Sequence, residues 1–270
     1  MKGSEAKMGS LYFADRVTKR NPYSEDGLYD ESWVELSIDE CAEYEMFTGK
    51  TEIFGFKLSK HCNGWQFRAM DYIAYHHLYR RKVIITALPK DYEEAKAVYT
   101  GHSPFDRFLR PYEPKVLVHS TTPGAYPAIC REGVLKSWQK VQAANVVRET
   151  APIGLTLGDP ADFQEFVMLG SGVAPEIVVS SKQKGFVCMD SHCEYTPGGR
   201  FYFDVEQLAA DGLLVRDGCH YKVKDELPIG HALFCGTLQN VEMRGQAITP
   251  DSFAQAADQV FKRHMGSVGV

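Results

Sequence analysis

VLVHSTTPGAYPAICREGVLKS, from Val116 to Ser137, is the stretch whose reading decides how the rest of the chain is taken. Its apolar run ends on a polar triplet, His119-Ser120-Thr121. A Pro-Gly turn follows, then a helix-forming segment from Pro127 to Arg131, with Gly133 suited to cap it. A strand that carries a His, a Ser and a Thr to its C-terminal end sets hydrogen-bonding groups where a small ligand can meet them. Chemistry is expected there first.

Working outward, 270 residues suffice for one large domain or two small ones with a sizeable core. Apolar residues at 44% and charged residues at 24% are those of a soluble globular protein. A net charge of -5 gives no general pull toward nucleic acid, so such binding would need a local basic patch. No apolar run reaches the length of a membrane helix, and the start lacks a signal-peptide core. The opening MKGSEAKMGS reads as a flexible leader. Seven cysteines, an odd number without framework spacing, fit free thiols in a reducing cytoplasm.

Before the central stretch, Leu11 to Trp33 reads as irregular chain anchored by Tyr12, Phe13, Tyr23 and Trp33. Ser37-x-x-Glu40 has the form of a capping box, which predicts a helix from about Ile38 to Phe47. Residues 52 to 58 alternate as a half-buried strand. Trp65 to Arg81 repeats apolar side chains at helical spacing and ends in Arg80-Arg81-Lys82, cations that suit a helix C-terminus or, alternatively, a nucleic-acid phosphate. A buried strand from Val83 to Ala87 and a helix from Asp91 to Tyr99 follow. Prolines at 104, 111 and 114 mark a linker and a boundary near Arg110.

Beyond the central stretch, Trp138 to Thr150 reads as helix or loop and Ile153 to Gly158 as a second short strand. Asp159-Pro160 resembles a helix start, for a helix with Phe163, Phe166, Val167 and Leu169 on one face. Glu176–Ser180 and Arg200–Val205 are expected as strands, and Val205–Asp211 as a short helix or turn. Leu213–Val215 and Tyr221–Val223 would be the arms of a hairpin turning at Asp217-Gly218.

This order of elements is similar to the ADP-ribosyltransferase fold. VHSTTPGAYPAICREGVL resembles the first motif of its histidine-bearing branch, which includes the poly(ADP-ribose) polymerases and the tRNA 2′-phosphotransferases. IGLTLGD, at 153 to 159, sits where those families place a second strand lining the nicotinamide site. FYFDVEQLAADGLLVRDGCHYKVKDELPIGH is similar to the closing segment of the 2′-phosphotransferases. The resemblance covers Lys115 to Gly236, somewhat under half of the chain.

It implies an α+β fold: a split mixed β-sheet ADP-ribosyltransferase-like domain over residues 111–270, preceded by an α/β N-terminal region over residues 1–110. It further implies an NAD-dependent transferase acting on nucleic acid or on an RNA 2′-phosphate, or a non-catalytic nucleotide- or nucleic-acid-binding module on the same fold. His119 would hold the nicotinamide-side ribose, Thr121 would support it, and Ser120 stands where Gly is usual. Thr156 takes the place of a stacking Tyr or a second His, and His220, Tyr221 and Lys222 stand where a third-motif Glu is found in many relatives. Arg131, Arg148, Arg200 and Arg216 are candidates to fork onto phosphate oxygens. The catalytic candidates are thus His119, Thr121, Arg131 and Tyr221. NAD would be held by His119, Ser120, Thr121, Thr156 and Arg200.

Two other chemistries compete. Cys188, His192 and Cys193, with Cys219-His220, offer soft zinc ligands, though without C-x-x-C spacing. Cys130 or Cys219 could serve as nucleophile of a Cys-His protease, but no activating motif surrounds either. Glycines at 154, 158, 170 and 172 do not form a dinucleotide G-x-G-x-x-G.

Overall fold

The computed structural model describes residues 10–40, 45–48, 53–144, 151–218, 220–243 and 245–268. The chain is an α+β protein that divides into two compact units. One holds the described residues up to Asp106, with Thr156–Pro160 and the turn from Arg216 to Gly218. The other holds most of the chain from Arg107 onward.

The first unit is built on β1 (Leu11–Phe13), β2 (Trp33–Asp39), β3 (Glu45–Thr48), β4 (Phe54–Ser59), α1 (Trp65–Leu78), β5 (Lys82–Thr86) and α2 (Pro89–Val98). The strand order is β1-β5-β2-β4-β3, parallel except for β3. α1 is the crossover between parallel neighbours of β2, and it buries Ala69, Tyr72, Ile73 and His76. Alternate residues of β2 supply both faces. Val34, Leu36 and Ile38 share one, while Trp33 lies on the other in a cluster with Ile53 and Ile84.

β2 overturns the helix predicted from Ile38 to Phe47. Ser37 and Ile38 lie inside the strand, and Glu45–Thr48 is itself a strand; Cys41–Tyr44 lies outside the described residues. The alternating run Trp33 to Ile38, seated between two parallel neighbours, outweighs a four-residue capping pattern. The cationic triplet follows the end of α1: Tyr79 caps it, Arg80 has a φ of 58°, Arg81 reaches His76 Nδ1 at 3.1 Å, and Lys82 lies 4.7 Å over the Trp33 ring.

The second unit opens with β6 (Val116–Ser120), α3 (Tyr126–Glu132), β7 (Val134–Lys136) and α4 (Trp138–Ala143). It continues with β8 (Phe166–Leu169), α5 (Ala174–Lys184), β9 (Arg200–Asp204), α6 (Val205–Ala210), β10 (Leu214–Asp217, whose last two residues group with the first unit), β11 (His220–Lys224), β12 (Glu226–Pro228), β13 (Ala232–Gly236) and α7 (Pro250–Val268). One antiparallel sheet runs β13-β9-β6, a second β10-β11-β8, and β12 pairs with β7. A bridge between Val118 and Gly170 ties β6 to the end of β8.

β9 is buried over Arg200–Phe203. Phe201 and Phe203 enter a core with Leu117, Leu135, Val167, Leu169 and Leu227. Tyr202 enters a second core with Val118, Val179 of α5, and Phe253 and Ala257 of α7. The period-2 pleat therefore sends Leu117 and His119 of β6 to one side and Val118 and Ser120 to the other.

Three expectations fail between Ile153 and Ser180. Ile153–Leu157 is a 3₁₀ turn, not a strand. Ala161–Glu165 is another 3₁₀ turn, and Phe166–Leu169 is strand rather than the body of a helix. A four-residue apolar run stopped by Gly170 fits a short buried strand as well as a helix, and pairing with β11 decides it. Glu176–Ser180 lies within α5. Its β-branched run suggested a strand. Pro175 at the first turn, lysines in the last and Gly185 at φ 73° are the helix-end signals that prevail.

Candidate functional site

His119 is the last but one residue of β6, opposite Phe201 of β9. Its Nδ1 lies 2.8 Å from the carbonyl oxygen of Met168, so Nδ1 carries the hydrogen and donates. Burial pushes its pKa below the usual histidine value; the Met168 contact opposes this in part, and the positive charge of Lys182 adds to the lowering. The ring is therefore neutral near pH 7 in one tautomer, with Nε2 as its remaining acceptor.

The Met168 carbonyl is there because β8 runs beside β6. Val118 and Gly170 exchange both backbone hydrogen bonds, at 2.8 and 2.9 Å. The strand that meets the histidine is thus Phe166–Leu169, not the Ile153–Gly158 segment. Thr156 lies on a 3₁₀ turn and clusters with the first unit.

On the opposite side of β6, Ser120 donates to Glu176 Oε1. Glu176 is almost fully buried on α5, where Arg200 Nη1 meets the same oxygen at 3.1 Å. Tyr195 donates to the other carboxylate oxygen at 2.6 Å, and burial beside that carboxylate raises its phenol pKa. Arg200 Nη2 reaches Asp258 Oδ1 of α7 at 3.0 Å and the Gly172 carbonyl at 2.9 Å, and its Nε donates to Tyr202 at 2.9 Å. Burial disfavours the Arg200 charge, but Tyr202, Glu176 and Asp258 together more than offset this. Four of the five guanidinium hydrogens are used internally, so Arg200 offers no open fork to a phosphate.

Thr121 clasps the chain before β9. Its Oγ1 accepts from Gly199 N at 2.9 Å, its N–H donates to the Gly199 carbonyl at 2.9 Å, and its carbonyl accepts from Gly198 N at 3.0 Å. Only glycine allows this approach. A Cβ on Gly198 would stand 2.4 Å from the Thr122 carbonyl oxygen, and one on Gly199 2.5 Å from the Tyr126 ring.

The remaining candidates are dispersed. Arg131 is exposed on α3, 3.9 Å from Glu132. Tyr221 is buried in β11 opposite Leu169, and Lys222, wholly buried, stands 3.7 Å from the Phe163 ring centre. Arg216, also buried, donates to the Asp106 carbonyl at 2.8 Å. Arg148 and Cys219 lie outside the described residues. No group of three or more His, Cys, Asp or Glu suited to a metal ion occurs among the described residues. Cys188 and Cys193 do approach one another, at 3.8 Å between sulfurs, while His192 is exposed. No helix among them is long and apolar enough to cross a membrane.

No family model and no curated protein matches the chain. The sequence reading missed Lys182, the basic side chain whose charge His119 senses, along with Glu176, Tyr195 and Asp258. The Gly198-Gly199 pair before an apolar strand was a visible signal of close backbone approach. Thr249-Pro250, N-cap and first-turn proline, was the unused signal for α7.

Proposed function

We propose that the second unit is an NAD-dependent transferase of the ADP-ribosyltransferase type, its sheet split and antiparallel rather than mixed, acting on nucleic acid or on an RNA 2′-phosphate. The observation that carries this is the neutral His119 at a strand end, its Nδ1 held by the Met168 carbonyl and its Nε2 left as an acceptor. An acceptor fixed in that way suits a ribose hydroxyl. NAD would supply the ADP-ribosyl group and the scissile bond to nicotinamide. The protein's part is to orient the ribose and to keep the ring in one tautomer. The positive charge of Lys182 on α5 reaches His119 and favours the neutral ring.

The test is nicotinamide release from labelled NAD, with and without RNA bearing a 2′-phosphate. His119→Ala should abolish release; unchanged turnover would refute the assignment. A second reading, a non-catalytic nucleotide-binding module, is favoured by the internal bonding of Ser120, Thr121 and Arg200. NAD or RNA binding by calorimetry, without nicotinamide release on any substrate, would select it.

A further inference from the structure

After α5 ends at Lys184, the chain returns to that helix through a loop tied down at two places. At the first, Cys188 N donates to Ser181 Oγ at 2.9 Å, and Ser181 Oγ donates to the Cys188 carbonyl at 3.3 Å. At the second, Tyr195 donates to Glu176 at 2.6 Å, and the Tyr195 and Thr196 amides are held by the Ile248 carbonyl and by Gln183 Oε1. Between them Cys193 brings its thiol 3.1 Å from Ser180 Oγ and 3.8 Å from the Cys188 sulfur. Both thiols are free and part-exposed, in a loop whose Phe186, Val187 and Met189 face solvent. A second pair of free thiols, Cys130 and Cys235, differs. They share the hydroxyl of Tyr126, and burial raises the Cys235 thiol to about 11.

We infer that Cys188 and Cys193 form a modification site, a dithiol that a small-molecule disulfide converts reversibly to an intrachain disulfide. The bond would close the loop that holds Tyr195 against Glu176. The sulfurs stand 3.8 Å apart within one loop, so reaching the roughly 2 Å of a disulfide asks for a movement of only about 2 Å. With oxidised glutathione, one cysteine loses its proton and its sulfur attacks the glutathione S–S bond. One glutathione thiolate leaves, and a mixed disulfide remains. The second cysteine then loses its proton and attacks the protein-side sulfur, releasing the second glutathione. Two protein thiols are oxidised, one glutathione disulfide is reduced, and two glutathiones take up the protons. Ser180, beside the Cys193 sulfur, is placed to solvate a thiolate.

The inference does not depend on the activity at His119. The full chain is equilibrated with oxidised glutathione, quenched with iodoacetamide and mapped by mass spectrometry, while amide hydrogen exchange is followed in parallel. Cys188 and Cys193 should both lose alkylation and recover it on reduction. The exchange of the Tyr195 and Thr196 amides should slow several-fold in the oxidised form. Cys193→Ser should instead leave Cys188 carrying a stable glutathione adduct; Cys188→Ser serves the same purpose if the first variant does not fold. Full alkylation of both wild-type residues in excess oxidised glutathione would overturn the inference. So would arrest at a mixed disulfide, or exchange at Tyr195 and Thr196 that is the same in both forms.

Discussion

Glu35 sits in the middle of β2, 8% exposed, beside Gly55 and Ile84 in the neighbouring strands. Among the described residues its carboxyl has no hydrogen-bond or ion-pair partner, and the one titratable group that senses it is Tyr29. Burial raises its pKa from 4.5 to about 7. The unfolded chain therefore releases this proton at lower pH than the folded one. Below 4.5 both forms are protonated and the site is neutral to stability. As pH rises from there to 7, stability falls, and above 7 the loss is complete. At about 1.4 kcal/mol per pH unit, the displacement amounts to roughly 3 kcal/mol. Glu35→Gln keeps the shape and removes the titration. It should match the wild type near pH 4.5 and exceed it by roughly 3 kcal/mol at pH 8, a urea midpoint higher by on the order of 1 M. Tryptophan fluorescence reports this directly, because Trp33 and Trp65 both lie in the first unit. A difference between variant and wild type that is the same at both pH values would refute the reasoning.

Arg200→Met should destabilise the second unit by about 3–5 kcal/mol in chemical denaturation, since it strands the buried carboxylate of Glu176. Glu176→Gln, which keeps hydrogen bonding, should lose less. Gly198→Ala, whose new methyl would press on a backbone carbonyl rather than a mobile side chain, should cost at least about 1–3 kcal/mol by the same assay. Thr121→Val keeps the volume but leaves the Gly199 amide without its acceptor, and should cost about 1–3 kcal/mol. Phe253→Ala, in the core under α7, should lower stability by about 3–5 kcal/mol.

Much of this architecture could be read from local pattern. The strand that carries His119, the helix closed by Gly133, the apolar RFYFD strand and the Trp65 helix all carry their periodicity and end signals within a few residues. The failures lie where local signals conflict. In α5 a β-branched interior opposed helix-end residues, and in β2 a capping pattern fell inside an alternating strand. Phe166–Leu169 is too short for periodicity to decide, and its state is set by a partner strand more than fifty residues away. The same reason hid the surroundings of His119. Met168 of β8, Glu176 and Lys182 of α5 and Asp258 of α7 come from three distant elements, and no spacing in the sequence announces them.

That dispersal bears on how the protein is made. Thr121 is clasped by Gly199, Ser120 bonds to Glu176, and the Arg200 that joins them is completed only by Asp258 of the C-terminal helix. During synthesis β6 emerges long before any of these, exposing an unpaired strand edge and, once β9 follows, an arginine short of one of its counter-ions. Folding of the second unit should therefore be slow and governed by long loop closures. The His119 region would be among the last parts of the molecule to acquire its final geometry.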